Sequence, residues 1–427
     1  MHFHSKTVSV LPALLVGAGL AGTTFADEPN LVGVSVTAGV KQSDNRDLID
    51  KGDKEDQTSW YVAPTIRIRR EIADLLHLDA SYSPVWTRYD NCRNGQEEEK
   101  WEHTVRLNLD YAFSPLTSVG VRENYWWSGQ KDYFYGDDYV YDPSRDDRKN
   151  NDYYQNRLEG FLVQKLAENG DYVKVGGRWR VKRYDEKDLS KTNDEDEWGA
   201  YAEFMHVFSR TFSFGVFADY TGWDRESEPE FDLGVDYLTV GFKAICDLSG
   251  DGNHLLEARV GYNHAWYESD DLDDQDLIGD SQVELKLFQQ TDTQLFAGVR
   301  YGRTFANVYP FSSQEDLAGY ASVRQYFGED RRFSLGASVE LRTRTYDADD
   351  DLDPSAASYG YLQSLMAANG GKTEYDRDSV FVRVSARFAV TEFFGIGAFY
   401  TYEDIDSDVG SSYKENVFGL NGTVTLF

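Results

Sequence analysis

The feature of this sequence that most constrains its fold is a strict alternation of apolar and polar residues that returns about eighteen times. In residues 333–342 the polar and charged side chains are separated by five apolar ones: Phe333, Leu335, Ala337, Val339 and Leu341. A β-strand points successive side chains to opposite faces, so this pattern predicts a strand with one apolar and one polar face.

The same alternation predicts strands along nearly the whole chain. Residues 172–182, "YVKVGGRWRVK", are the clearest case, with valines and Trp179 opposite lysines and arginines. The predicted strands lie near residues 31–41, 60–70, 78–88, 101–113, 118–127, 153–165, 172–182, 198–208, 212–223, 231–246, 254–267, 281–289, 293–305, 317–327, 332–346, 379–389, 393–402 and 413–427.

Short and long connections take turns between these strands. Eight short ones lie near residues 73, 114, 167, 209, 248, 290, 328 and 390. Nine long polar ones lie near 42–59, 90–100, 128–152, 184–197, 224–230, 268–280, 306–316, 347–378 and 403–414. This order predicts an all-β protein, a transmembrane antiparallel up-and-down β-barrel of about 18 strands, with 16 as the alternative count. A soluble sandwich also has alternating strands, but it gives no reason to segregate loops by length.

Composition excludes two other classes of protein. Mean hydropathy is -0.58, and no segment after the N-terminus approaches the roughly 20 apolar residues that a spanning helix needs, which excludes a helical membrane protein. The formal net charge of -31 argues against a nucleic-acid partner, because phosphate backbones are bound by lysine and arginine.

The N-terminus predicts export. Lys6 precedes the apolar run 8–22, and Thr24 and Ala26 are the small residues that a signal peptidase prefers. Residues 1–26 are therefore predicted to be a cleaved signal peptide and residues 27–427 a single barrel domain. An uncleaved anchor helix is the alternative, but the apolar run is short and contains Pro12.

Aromatic residues are sorted between the two ends of the predicted strands. Tryptophans lie at the long-loop ends, where we expect an aromatic girdle at the membrane interface formed by Trp60, Trp86, Trp101, Trp127, Trp179, Trp198, Trp223 and Trp266. Phenylalanines such as Phe113, Phe208 and Phe393 lie near the short turns. Leu107, Val175 and Val339, between the two groups, are predicted to face lipid.

The C-terminal stretch "VFGLNGTVTLF" is similar to the C-terminal signal of bacterial outer-membrane barrels, although Thr425 stands where that signal usually has an aromatic or aliphatic residue. With the strand and loop pattern, the chain resembles porin-like outer-membrane β-barrels, including the β-barrel porin families known largely from sequence. The resemblance implies an outer-membrane location, lipid and lipopolysaccharide around the barrel, and small hydrophilic solutes in its lumen. It indicates neither a cofactor nor a metal, and it leaves the oligomeric state open.

The polar faces of the predicted strands carry many charges near mid-height. The candidate lumen or constriction residues are Arg67, Arg106, Arg178, Arg180, Arg259, Arg300, Arg342, Arg383, Asp110, Glu257 and Glu340. One interpretation is a constriction that selects solutes by charge, and the other is a set of structural ion pairs on a solvated wall. Loops 128–152 and 347–378 are long enough to fold inward and narrow the pore.

The sequence therefore predicts a porin-like channel for passive diffusion of small hydrophilic solutes, with a modest anion preference set by the lumen arginines. Export of an anionic polysaccharide is the main alternative. An enzyme is a weaker one, since no G-x-S-x-G or H-E-x-x-H motif occurs. The half motif "DLSGDGN" is interpreted as a turn and not as a calcium loop, and Cys92 and Cys246 are expected at opposite ends of the barrel without a disulfide.

Overall fold

The computed structural model describes residues 30–45, 54–72, 75–92, 98–128, 153–166, 170–184, 194–225, 234–267, 280–290, 292–305, 311–328, 330–348, 363, 366–367, 371, 374–408 and 412–426. These residues form a single antiparallel sheet of eighteen strands. Its strands are β1 (Asn30–Ser43), β2 (Gln57–Ile72), β3 (Leu76–Tyr89), β4 (Glu99–Ser114), β5 (Thr117–Ser128), β6 (Tyr153–Lys165), β7 (Tyr172–Tyr184), β8 (Glu195–Ser209), β9 (Phe212–Arg225), β10 (Val235–Asp247), β11 (His254–Tyr267), β12 (Asp280–Gln290), β13 (Thr293–Phe305), β14 (Phe311–Phe327), β15 (Phe333–Ala348), β16 (Glu374–Ala389), β17 (Phe394–Ser407) and β18 (Tyr413–Thr425).

The sheet closes on itself. Each strand pairs with the next along the chain, and β1 pairs with β18 from Ser35↔Thr425 to Ser43↔Val417. A buried hydrogen bond of 2.9 Å between the hydroxyls of Thr37 and Thr423 supports this seam from inside. Closure leaves no unpaired edge, which is how an antiparallel sheet satisfies its backbone polar groups in lipid. The predicted up-and-down barrel of about 18 strands is confirmed.

The outer face of the barrel is an exposed apolar belt. Val175 and Val339, predicted to face lipid, are 40% and 36% exposed, and Leu420 is 62% exposed. Leu107 lies on the same outer face, because its cross-strand partner is Ala80, whose other neighbour Ile68 points outward. An apolar surface that surrounds the barrel is stable in hydrocarbon and not in water. The polar side chains, in contrast, point into the barrel.

Several connections at the long-loop end are shorter than predicted, and two of them are reduced to short loops. The sequence predicted loops at 306–316 and 403–414, whereas β14 begins at Phe311, and β17 ends only at Ser407. In β17 the hydrogen-bonded ladder continues where the outer face becomes polar, as shown by Asp404, which accepts a 2.8 Å bond from Lys414. The alternation of apolar residues therefore ends before the strand does. Loops 128–152 and 347–378 lie mostly outside the described residues, as do the signal segment and Phe427.

The connection from β10 to β11 is a tight turn organised by one carboxylate. Asp247 accepts hydrogen bonds from the backbone amides of Gly250 at 2.8 Å and Gly252 at 2.7 Å. Both glycines have positive φ, 74° and 81°, which other residues rarely adopt. Hydrogen bonds from Ser249 and Asn253 lower the pKa of the exposed Asp251 to about 2. The turn interpretation of "DLSGDGN" is confirmed, because these carboxylates bind their own backbone and side chains.

The two cysteines are both free. Cys92 follows β3 at the long-loop end, whereas Cys246 lies in β10 beside the turn at the opposite end. The prediction that they do not form a disulfide is confirmed.

Candidate functional site: the lumen wall

The predicted tryptophan girdle lies on the outer face with one exception. Trp60, Trp101, Trp179, Trp198 and Trp266 are between 46% and 57% exposed. Trp86 is the cross-strand partner of Trp101 and therefore shares its outward face. Trp127 also points outward, since its ring lies 5.1 Å from that of its cross-strand partner His103, which contacts Trp101.

Trp223 is the exception, and its assignment to the girdle is wrong. It is 6% exposed and lies opposite Glu197 of β8, a residue that faces the lumen. Its neighbour on β10, Val235, is also buried, with 3% exposure. Near the outer mouth both faces of a strand are mixed in character, so position in the sequence alone did not show on which face this ring lies.

The candidate charged residues share the inner face of the barrel. Arg67, Ser81 and Arg106 follow one another across β2, β3 and β4 in register, and Arg67 is hydrogen-bonded to Asp79 on the same face. Asp110 is held by Arg122 through contacts of 2.7 and 2.8 Å. Register and burial also place the remaining predicted residues inside: Arg178, Arg180, Glu257, Arg259, Arg300, Glu340, Arg342 and Arg383.

On β7–β11 the inward charges are nearly balanced, and we call this part the paired wall. Its described inward cations are Lys174, Arg178, Arg180, Lys182, Lys243 and Arg259, and its acids are Glu195, Glu197, Glu203, Asp219 and Glu257. Since six cations face five acids, the local fields largely cancel.

Arg178 and Arg180 lie at the centre of the paired wall. Arg178 donates to both carboxylate oxygens of Asp219, at 2.9 and 2.8 Å, and its Nε lies 3.3 Å from Glu197. Arg180, only 4% exposed, lies 3.0 Å from Glu197 and 3.6 Å from Glu195. The two-point fork of Arg178 on Asp219 is geometrically fixed, and the buried Arg180 lies beside two carboxylates. Both arginines therefore act as structural partners of acids on β8 and β9.

A second group on the paired wall is centred on Glu203. The hydroxyl of Tyr172 donates to this carboxylate at 2.7 Å, and Lys243 donates to it at 3.1 Å. The same lysine lies 3.8 Å from the candidate Glu257. One lysine therefore bridges two acids, which reduces the repulsion between them.

On β13–β16 the inward charges are unbalanced, and we call this part the arginine-rich wall. It carries Asp316 and Glu340 as its described inward acids and seven arginines: Arg300, Arg324, Arg342, Arg344, Arg377, Arg383 and Arg387. Asp316 binds three of them, with contacts of 2.9 Å to Arg300, 2.6 Å to Arg342 and 3.8 Å to Arg344. Seven arginines and two acids give this wall a net positive charge among the described residues.

A cavity of about 190 Å³ lies at the inner surface between the two walls. It is lined by Arg178, Phe217, Asp219, Tyr237, Thr239, Arg259, Gly261 and Arg300. The lining follows the paired wall from β7 through β9, β10 and β11 and includes Arg300 of β13. Arg259 stacks 4.1 Å above the ring of Phe217, and within the described residues it has no hydrogen bond or ion pair.

Aromatic rings lie flat on the inner wall where a neighbouring strand has a glycine. A methyl group on Gly120 would overlap Phe161, and one on Gly419 would overlap Phe399, so only glycine permits these rings to pack against the backbone. Lys174 lies 4.3 Å above Phe161, and Arg383 lies 5.7 Å from the Phe399 ring centre. The inner surface therefore combines aromatic faces with cations, an arrangement suited to polar organic solutes.

Sequence reasoning missed several residues that define this site. Asp219, Glu197 and Asp316 hold the predicted arginines, and Arg324 and Arg387 extend the arginine-rich wall toward the short-turn end. All five lie on the inward phase of their strands: Asp219, Arg324 and Arg387 lie within predicted strands, and Glu197 and Asp316 lie just beyond predicted strand ends. Their pairing depends on cross-strand register, which alternation does not give.

The strand order, closure, apolar belt and aromatic girdle together give the chain the architecture of a porin-like outer-membrane β-barrel. No protein-family model matches the sequence, and no curated protein matches it.

Solved structures with similar chain traces include the outer membrane protein opdK from Pseudomonas aeruginosa, at 8% identity and a TM-score of 0.44, covering 93% of this chain and 99% of that one. OccK2 (OpdF) from the same organism, in complex with glucuronate, has 9% identity and a TM-score of 0.44, with coverages of 93% and 98%. The siderophore receptor PirA, also from Pseudomonas aeruginosa, has 7% identity and a TM-score of 0.45, with coverages of 94% and 81%. Identities and scores this low say nothing about the solute of this chain.

Proposed function

We propose that the protein is an outer-membrane channel for passive diffusion of small hydrophilic solutes, with a preference for anions. The observation that carries the proposal is the charge imbalance of the arginine-rich wall, where seven arginines and two acids line the lumen among the described residues. A lumen with low-dielectric walls focuses such charge and raises the local concentration of counter-ions. Diffusion requires no catalytic residue, and we assign none.

The proposal includes the cellular context predicted from the sequence. Residues 1–26 direct export and are removed, and the mature chain then inserts with its aromatic girdles at the two membrane interfaces. Outer-membrane lipid and lipopolysaccharide surround the apolar belt. The long connections, most of which are acid-rich, face outward, where salt screens their charge over about 8 Å at physiological ionic strength.

The test is electrical recording of the refolded barrel in a planar lipid bilayer. We expect discrete conductance steps and, in a potassium chloride gradient, a reversal potential that indicates anion preference. That preference should weaken at low salt, because the acidic outer loops then act over a longer range. A folded barrel that conducts nothing, or one that prefers cations at high salt, would contradict the proposed function.

A further inference from the structure

Two arginines at the short-turn end of the arginine-rich wall face each other across one strand. In register, Arg324 of β14, Gly336 of β15 and Ser385 of β16 lie side by side. Two residues closer to the short turns, Ser334 of β15 lies beside Arg387 of β16. On β15 only glycine and serine lie between the two arginines, and Tyr326 of β14 lies in the same row as Ser334 and Arg387.

The position of this group is the mouth of the barrel at the short-turn end. Arg387 is followed by Phe388, which is 45% exposed on the outer face, and Phe327 close to Arg324 is 43% exposed. These rings lie on the outer face near the short turns. The two arginines therefore lie at the level of the membrane interface on the short-turn side. The backbones of β14 and β16 are two strand spacings apart, about 10 Å, a distance that two long side chains can span from both sides.

The two guanidinium groups interact electrostatically with each other. Neither forms a hydrogen bond or ion pair with an acid among the described residues. Arginines elsewhere on the same wall differ in this respect, for example Arg342, which is held by Asp316. Two like charges without a counter-charge repel each other, so binding of an anion between them is favourable.

Glycines on β15 and β17 lie beside the pair. A methyl group on Gly336 would come within 2.8 Å of the Ser385 hydroxyl oxygen, so the glycine leaves room for that hydroxyl. The Nε of Arg387 lies 3.8 Å from the place where a methyl group on Gly395 would stand, so its side chain reaches over β17. Two planar forks of N–H donors and one hydroxyl thus lie on neighbouring strands of the inner face, and guanidinium forks match carboxylate and phosphate oxygens.

We propose that Arg324, Arg387 and Ser385 form a binding niche for the oxyanion group of a small solute, at the mouth of the barrel on the short-turn end. The oxyanion group is a carboxylate or a phosphate. The proposal rests on the proposed channel function, because it assigns to this niche the last contact of a permeating anion. It names residues of the lumen that the candidate constriction did not include.

The test is calorimetric titration of the detergent-solubilised, folded barrel with succinate and with inorganic phosphate at low ionic strength. Arg324→Gln and Arg387→Gln should each weaken binding of the preferred anion roughly tenfold, because each variant loses one charge-assisted fork. Gly336→Ala keeps both charges but places a methyl group against the Ser385 hydroxyl, and it should also weaken binding. Arg88→Gln is the control, since this exposed arginine lies at the long-loop end, 3.9 Å from Glu99, and its loss should leave binding unchanged.

Stronger binding of succinate would identify the solute class as carboxylates, and stronger binding of phosphate would identify it as phosphorylated solutes. Absence of binding to the unmodified barrel, or equal affinity in the double variant Arg324→Gln, Arg387→Gln, would overturn the niche. Conductance of the same preparation keeps the two proposals apart. A barrel that conducts without binding rejects the niche alone, and one that binds without conducting rejects the channel.

Discussion

The paired wall and the arginine-rich wall are built from the same kind of strand but differ in how their cations are held. Arg178 and Arg180 on β7 are bound by Asp219, Glu195 and Glu197. On β13–β16, one carboxylate, Asp316, contacts three arginines, and Arg324 and Arg387 have no acid partner among the described residues. An arginine on a lumen face is therefore evidence for selectivity only after its partners are known.

The paired wall and the arginine-rich wall therefore have different roles in the barrel. A fork bonded to a carboxylate fixes neighbouring strands and adds little net field. An arginine without a counter-charge adds field and interacts with mobile ions. We therefore expect changes on the paired wall to alter stability, and changes on the arginine-rich wall to alter selectivity.

The largest expected effect concerns the register of β15, on which the arginine-rich wall depends. Val339→Arg places a charge in the lipid belt at a cost of about 2–4 kcal/mol and should impair assembly. Ser338→Arg, the matched control one residue away, adds a charge to the lumen and should assemble normally. Yield of folded barrel, measured by its heat-dependent shift on a gel, checks this. Equal yields for the two variants would mean that β15 is assigned to the wrong faces.

The second effect concerns the acid that holds three arginines. Asp316→Asn leaves Arg300, Arg342 and Arg344 without their shared carboxylate, and it should lower the free energy of unfolding by about 2–3 kcal/mol in this partly solvated site. Urea denaturation in detergent measures this. Glu340→Gln removes an exposed acid from the same wall and should cost much less stability. If both variants unfold at the same urea concentration, the Asp316 cluster is not a structural element.

The third and smallest effect separates net charge from paired charge. Arg178→Gln combined with Asp219→Asn removes both members of one pair, so the reversal potential in a salt gradient should stay unchanged. Arg377→Gln, Arg383→Gln and Arg387→Gln together remove three positive charges from β16 and should shift it toward cations. Bilayer recording of both variants gives the comparison. A shift in the first variant as large as in the second would show that the two walls do not differ in function.

Much of the fold could be predicted because the bilayer imposes a simple rule on every strand. Each membrane-spanning strand must present apolar residues to lipid, so alternation marks strand position, facing and number, as in β7 and β15. The rule weakens outside the membrane, where both faces meet water. That is why β14 and β17 extend further than predicted and why Trp223 lies inside the barrel.

The candidate site was predicted only in part. Alternation placed all eleven candidate charges on the inner face, but it did not separate Arg178, which is neutralised by Asp219, from Arg387, which has no acid partner among the described residues. Pairing joins residues such as Arg178 and Asp219, 41 positions apart along the chain.

The class of the fold, the number of strands, the residues on each face of a strand and the end at which the tryptophans lie could all be predicted from the sequence alone. These properties follow from local patterns, because each strand meets lipid and water independently of its neighbours. The tertiary structure was needed to show which cations are neutralised, which glycines admit an aromatic ring and which two arginines flank β15. These properties depend on the register between strands, and register is set by the closure of the whole barrel.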